Sequence, residues 1–225
     1  MSVNHQISNQ QSPIANRQCS LSLMTISFPI DEKLVLASSS PRRAEILTAV
    51  GWPFTTVTAG IDETRRPNEQ PVDYVQRLAK EKAEAVASSM EGAWVLGADT
   101  TVVVEKTLLG QPHDQDDARR MLRLLSGKWH DVLTGVAIVR LSGESKVDYE
   151  TTRVRFAEMS EKEIDWYIST GEPKGKAGAY AVQGAAALFI EEIQGDYFNI
   201  VGLPIRLVFE MVKAMSSPYP ESRGQ

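Results

Sequence analysis

The sequence predicts an α/β fold with an elongated mixed sheet flanked by helices, and three observations point there. Short apolar runs at residues 34–36, 54–57 and 94–104 alternate with helical patterns at 43–50 and 71–90, the order that builds parallel strands joined by helices. Two longer β runs, 128–141 and 145–157, flank a Ser142-Gly143-Glu144 turn and so pair as an antiparallel hairpin. No repeat or linker divides the chain, so one domain spans residues 31–215, in two lobes with a central cleft.

Composition excludes several function classes. The formal net charge of −5 gives no basic stripe for a nucleic-acid surface, although a small anionic ligand needs only local positive charge. Cys19 is the single cysteine, which rules out an internal disulfide and a Cys-rich zinc site. His5, His113 and His130 are too scattered for a metal cluster. No apolar run approaches the roughly 18 residues of a membrane helix. A soluble protein of the reduced cytoplasm, with no membrane partner, is expected. Residues 1–30 hold no Asp or Glu and only Arg17 as a cation, unlike a secretory or transit signal. They are expected to be a disordered extension, or an over-long start preceding an initiator at Met24.

Residues 34–36 form a buried strand, followed by three serines, Pro41, Arg42 and Arg43. Ser40 suits an N-cap and Pro41 the first helical position, where proline's missing N–H is not needed. Such a strand-to-helix turn presents free N–H groups and the positive end of a helix dipole, beside two arginines. The competing possibility is a capped surface helix with solvated arginines. The helix stops at Gly51, and residues 54–57 form the next strand. Asp62 and Glu63 follow it, where ligand sites of α/β sheets form. Pro71 opens a helix to about residue 90, with Tyr74, Leu78, Lys82 and Val86 on one face. Lys82 on that stripe either snorkels to the edge or reaches into a pocket.

Residues 94–104 are an apolar β run interrupted by Asp99, costly unless the acid is paired or bound to a cation. An exposed loop acid between two strands is the alternative; the small residues around Asp99 favour a site. Asp114 caps a helix to Leu125, and Ser160 with Glu163 forms a capping box for a helix ending near Gly171. The glycine-rich residues 171–184 match neither a Walker loop nor a dinucleotide fingerprint and read as a loop whose backbone approaches something closely. Residues 188–193 form a strand, Gly195-Asp196 a turn, and Pro204 starts a last helix before a polar tail at 216–225.

Arg42, Arg43 and Lys82 are thus candidate cations, and Glu63 and Asp99 candidate acids, on separate elements. That mixture suits polyphosphate chemistry with a hard cation. Carboxylates hold Mg²⁺, which bridges phosphate oxygens, and Arg and Lys neutralise charge that builds during transfer. Spacing alone does not separate a hydrolase from a nucleotide-binding protein.

The residues also carry a family resemblance. Ala37-Ser38-Ser39-Ser40-Pro41-Arg42-Arg43, Gly60-Ile61-Asp62-Glu63, Arg77-Leu78-Ala79-Lys80-Glu81-Lys82-Ala83 and Gly97-Ala98-Asp99-Thr100 carry its first half. Leu124-Leu125-Ser126-Gly127, Lys176-Ala177-Gly178-Ala179-Tyr180, Gln183-Gly184 and Val201-Gly202-Leu203-Pro204 continue it. With these blocks in order over residues 34–212, the chain resembles the Maf family of nucleoside triphosphate pyrophosphatases. The resemblance implies an elongated fold with a cleft, like that of the inosine triphosphate pyrophosphatases, and cleavage between the α and β phosphates with a divalent metal, Mg²⁺ or Mn²⁺. It implies Asp99 as proton acceptor, Glu63 with Asp99 at the metal, and Lys82 as a further catalytic group. Ser40, Arg42, Arg43, Lys82 and Lys176 would hold phosphates.

One branch of that family takes dTTP and UTP; another takes 7-methyl-GTP and has Gln after the catalytic Asp. Thr100 follows Asp99 here, so the first branch is the closer match, with Arg42, Thr100 and Gln183 where it sets specificity. A uracil or thymine edge offers two carbonyl acceptors and one N–H, which a Gln amide complements. A nucleotide-binding regulator of cell division without turnover is the alternative of another class, and the family allows a homodimer. The chain departs at Gln111, where members often carry Lys; the lost charge is expected either to weaken phosphate binding or to shift it onto Lys106 or Lys176.

Overall fold

The computed structural model describes residues 33–216. The expected N-terminal extension with Cys19 and Met24, and the tail beyond Ser216, lie outside the described residues. Strand β1 (Leu34–Leu36) leads into α1 (Pro41–Ala49), β2 (Phe54–Thr56), α2 (Pro71–Ala87) and the long strand β3 (Trp94–Val104). After β4 (Thr107–Leu109) and α3 (Gln115–Leu125) come the hairpin strands β5 (Trp129–Arg140) and β6 (Ser145–Phe156), then α4 (Glu161–Ser169). Two 3-10 turns at Ala177–Ala179 and Ala185–Phe189 precede β7 (Ile190–Gln194), α5 (Tyr197–Val201) and α6 (Ile205–Ser216).

The sheet runs β2-β1-β3-β5-β6-β7, with β4 on the far part of β3. β1 pairs parallel with β2 and β3, and every other pairing is antiparallel, so the sheet is mixed as expected. Along β3, alternate residues point to opposite faces. Val95 packs under α2 with Val35, Ala79 and Ala83. Trp94, Leu96 and Ala98 pack on the other face with Leu47 of α1 and Val208 and Met211 of α6. Beyond Thr101 the same strand enters a third core, where Val102 and Val104 meet Leu122 of α3, Phe156 and Tyr167 of α4. Each fully buried Leu, Val or Phe contributes about 1.5–3 kcal/mol, so these cores hold the two ends of the sheet apart and leave a cleft where β3 passes between them.

Close approach of α2 to the sheet depends on two glycines. A Cβ on Gly97 would overlap the Ala79 carbonyl oxygen, and one on Gly135, opposite Asp99 in the β3–β5 register, would overlap Val75.

Several boundaries differ from the sequence expectation. Ser40 sits at the N-cap of α1, but its side chain makes no capping bond. Its N–H donates instead to Ser38 Oγ at 3.2 Å. The helix α2 ends at Ala87 rather than residue 90, where turn bonds from Ser89 and Met90 replace the helical ladder. Leu188 lies in a 3-10 turn, so β7 starts two residues later than expected. Two elements lacked a usable signal. The turn into β4 places Glu105 and Lys106 at positive φ, where Gly or Asn would normally announce a hairpin. α5 spans five residues, too few for a periodic pattern, and ends on Gly202 at φ 119°.

Candidate active site

Where β1, β3 and α2 converge, the cleft has a volume of about 340 Å³, within the range of small-molecule sites. Asp99 stands mid-strand on the α2 face of β3 and is 8% exposed, so the loop-acid alternative does not hold. Lys82, one turn along α2 from Leu78, does not snorkel out. Its Nζ donates to Asp99 Oδ1 at 2.6 Å and lies 2.9 Å from Glu63 Oε1. Burial pushes the Asp99 carboxyl up from the usual range, and the positive charges of Lys82 and Arg43 pull it back. The ion pair with Lys82 therefore favours the form of Asp99 that accepts a proton.

Glu63 is carried by the loop between β2 and α2, and α2 itself ties that loop down. Tyr74 Oη donates to the Glu63 carbonyl at 3.1 Å, and Arg77 Nη2 donates to the Thr64 carbonyl at 3.2 Å. Arg77 also bridges Glu69 (Nη2–Oε2, 2.9 Å) and Glu81 (Nη1–Oε2, 3.0 Å). That hydrogen bond holds the Glu69 carboxyl down to about 2. Asp62, the other acid of the loop, accepts from its neighbour Thr64 N–H and stays exposed.

The two adjacent arginines separate. Arg43 is 8% exposed and donates to the carbonyls of Gly202 (2.7 Å) and Ala98 (2.8 Å) and to the hydroxyls of Ser38 and Thr100 (3.1 Å each). Four of its five N–H donors are thus directed at protein acceptors, and it joins α1, β3 and the α5–α6 junction. Arg42 lines the cleft half-buried; its charged form is disfavoured by burial and only partly relieved by Glu45. Lys176 lines the same cleft, and burial together with Arg42 lowers its pKa. Two cations facing one space make a local anion site within an acidic chain. Gln111 lines the cleft as well, whereas Lys106 faces a separate hollow beside Trp129 and Arg153. Of the two lysines expected to replace the missing charge, only Lys176 is in place.

Thr100, on the opposite face of β3 from Asp99, receives Arg43 and lies 3.0 Å from the Thr134 hydroxyl, which donates to the buried Asn199 carbonyl. Neither Thr134 nor Asn199 belongs to a sequence pattern, so this support was not legible. Ser40 and Gln183 both line the cleft, Gln183 exposed. All nine expected site residues therefore surround one space, with Arg43 as part of its wall.

The donor set bears on a metal. Asp99 Oδ1 and Glu63 Oε1 converge on a single point, now taken by Lys82 Nζ. Among the described residues no three His, Cys, Asp or Glu side chains form a cage. Two hard carboxylates without a full protein cage fit an ion of the Mg²⁺ type, which keeps waters and completes its shell with phosphate oxygens. No helix among the described residues is long and apolar enough to cross a membrane.

The chain is also similar to known proteins. A family model described as Maf-like protein matches residues 33–215. A protein of Symbiobacterium thermophilum named dTTP/UTP pyrophosphatase is 50% identical over 187 residues, 83% of this chain and 96% of its own length. One of Hahella chejuensis with the same name is 53% identical over 180 residues, covering 79% and 89%. Among solved structures, the Ham1 protein of Staphylococcus aureus superposes with a TM-score of 0.50 at 12% identity, over 81% of this chain and 99% of that one, a likeness of fold alone.

Proposed function

The chain belongs to the Maf family, and we propose that its cleft hydrolyses dTTP and UTP, with modified pyrimidine forms, between the α and β phosphates. The products are the nucleoside monophosphate and pyrophosphate. The observation that carries this reading is Lys82 Nζ set between Asp99 at 2.6 Å and Glu63 at 2.9 Å in a cleft that also holds Arg42 and Lys176. Such a place receives a polyphosphate and polarises the water that attacks it.

The residues divide the work. Asp99 accepts the proton of the attacking water, which its ionised form allows because Lys82 and Arg43 oppose the cost of burial. Lys82, Arg42 and Lys176 neutralise the charge that grows on the phosphates, and Ser40 offers a hydroxyl to them. Arg43 holds Thr100 and the wall of the cleft in place. Gln183 presents an amide to the base edge. Asp99 and Glu63 would hold Mg²⁺, which supplies charge neutralisation of the phosphates and acidity to bound water. Cytoplasmic nucleotides are the proposed substrate pool.

The test is pyrophosphate release from dTTP, UTP, CTP, GTP and 7-methyl-GTP, with and without Mg²⁺, for the wild type and Asp99→Asn. Metal-dependent release from dTTP and UTP is expected, falling about 10²–10⁴-fold in the variant. Near-normal turnover in Asp99→Asn sinks the role of that residue. Selective turnover of 7-methyl-GTP sinks the pyrimidine reading, and nucleotide bound without turnover leaves the regulator.

A further inference from the structure

We propose that Glu172 is a positioning residue for base selection, acting with Tyr167 as a clamp on the loop that presents Gln183. This rests on the reading of Gln183 as the group that meets the base. Neither Glu172 nor Tyr167 lines the cleft, so both act through the loop.

Glu172 follows α4 just after Gly171, and its carboxylate turns back onto the segment around Gln183. Oε2 accepts from Ala185 N–H at 2.9 Å and Oε1 from Ala186 N–H at 3.4 Å. Tyr167 Oη donates to Oε1 at 2.6 Å and accepts from Ala181 N–H at 3.3 Å. The clamp therefore grips the backbone on both sides of Gln183, at Ala181 and at Ala185 and Ala186, and leaves the exposed amide side chain free to reach into the cleft. Gly184 shows how close the grip is, since a Cβ there would overlap the Glu172 carboxylate. The Tyr167 phenol is buried in the core with Phe156 and Phe189, and burial followed by the bond to Glu172 raises its pKa, so it remains a donor.

The physical need is geometric. An amide distinguishes two carbonyls flanking an N–H from a base with an exocyclic amine only if its own orientation is fixed. A loop free to shift lets the amide follow the wrong base, and discrimination falls although binding persists. Glu172 also favours the charged form of Lys176. Loss of that effect weakens every nucleoside triphosphate alike, so the ratio between substrates isolates the clamp.

The experiment measures kcat and KM for dTTP and CTP in the wild type, Glu172→Gln, Tyr167→Phe, Gln183→Ala and the Gln183→Ala/Glu172→Gln double variant. Glu172→Gln places an amide N–H₂ against donors and is expected to lower the dTTP:CTP ratio of kcat/KM about tenfold, the worth of roughly one net hydrogen bond. The change should sit in KM, with kcat for dTTP and the Mg²⁺ requirement kept. Tyr167→Phe keeps the ring in the core and should shift the ratio the same way. In the Gln183→Ala background, Glu172→Gln should lower the ratio no further, because the two act as one unit. A ratio lowered by Gln183→Ala but kept by both clamp variants overturns the clamp and leaves Gln183 standing. An equal drop from Glu172→Gln with and without Gln183 also overturns it. No change from Gln183→Ala removes the base-contact reading itself, and the clamp with it.

Discussion

At the scale of the residue, environment decides the role of a charge. Arg42 and Arg43 are neighbours in sequence, yet Arg43 gives its guanidinium to Ser38, Ala98, Thr100 and Gly202, while Arg42 stays at the cleft. Lys82 breaks an apolar helical stripe, a signal visible in the sequence, but only folding shows that both carboxylates wait for it. His130 is a buried titratable group outside the proposed chemistry. It is 2% exposed, its Nε2 lies 2.9 Å from the Tyr180 hydroxyl, and Phe156 and Tyr180 stand edge-on to its ring. Burial holds its pKa down to about 4. The folded protein therefore keeps His130 neutral while the unfolded chain protonates it near 6.5. Its contribution is present in full above about pH 6.5 and is lost as pH falls from there towards 4, by at most about 3 kcal/mol. The urea midpoint of the wild type should fall more steeply between pH 7 and 4.5 than that of His130→Gln; parallel slopes would refute this.

At the scale of the element, α2 organises the site. Its inward face meets the sheet only because Gly97 and Gly135 offer no side chain to Ala79 and Val75, and that contact lets Lys82 reach Asp99. Gly97→Ala should cost about 1–3 kcal/mol through overpacking and lower kcat by moving Lys82, as read by thermal unfolding and steady-state turnover. Unchanged values in both would mean that α2 shifts at no cost. From the same helix, Arg77 and Tyr74 hold the Glu63 loop. The helices α2, α3 and α4 were legible because proline, Asp114 and the Ser160–Glu163 box mark their starts, the last two with observed caps. The strand β4 and the helix α5 were not, because three and five residues carry no period and the β4 turn uses Glu105 and Lys106 instead of glycine.

At the scale of the molecule, β3 and β5 run through both halves, so the cleft lies between cores that share their strands. A nucleotide bridging that cleft stabilises the folded state as a whole. A dTTP analogue with a non-hydrolysable α–β link, at about 100 times its Kd with Mg²⁺, should add about 2.7 kcal/mol to unfolding. A shift given equally by Mg²⁺ alone would place the stabilisation elsewhere. By itself the sequence determined the α/β class and the order of long elements, and it singled out Arg42, Arg43, Lys82, Glu63 and Asp99 as candidates, because periodicity, caps and buried charges are local signals. Ser40, Thr100, Lys176 and Gln183 joined them through the family resemblance. Only the tertiary structure decided which arginine faces the substrate space, that Lys82 stands between Asp99 and Glu63, and what grips the Gln183 loop. Those outcomes depend on contacts between residues distant in sequence, where hydrogen-bond partners are chosen by packing and not by neighbourhood.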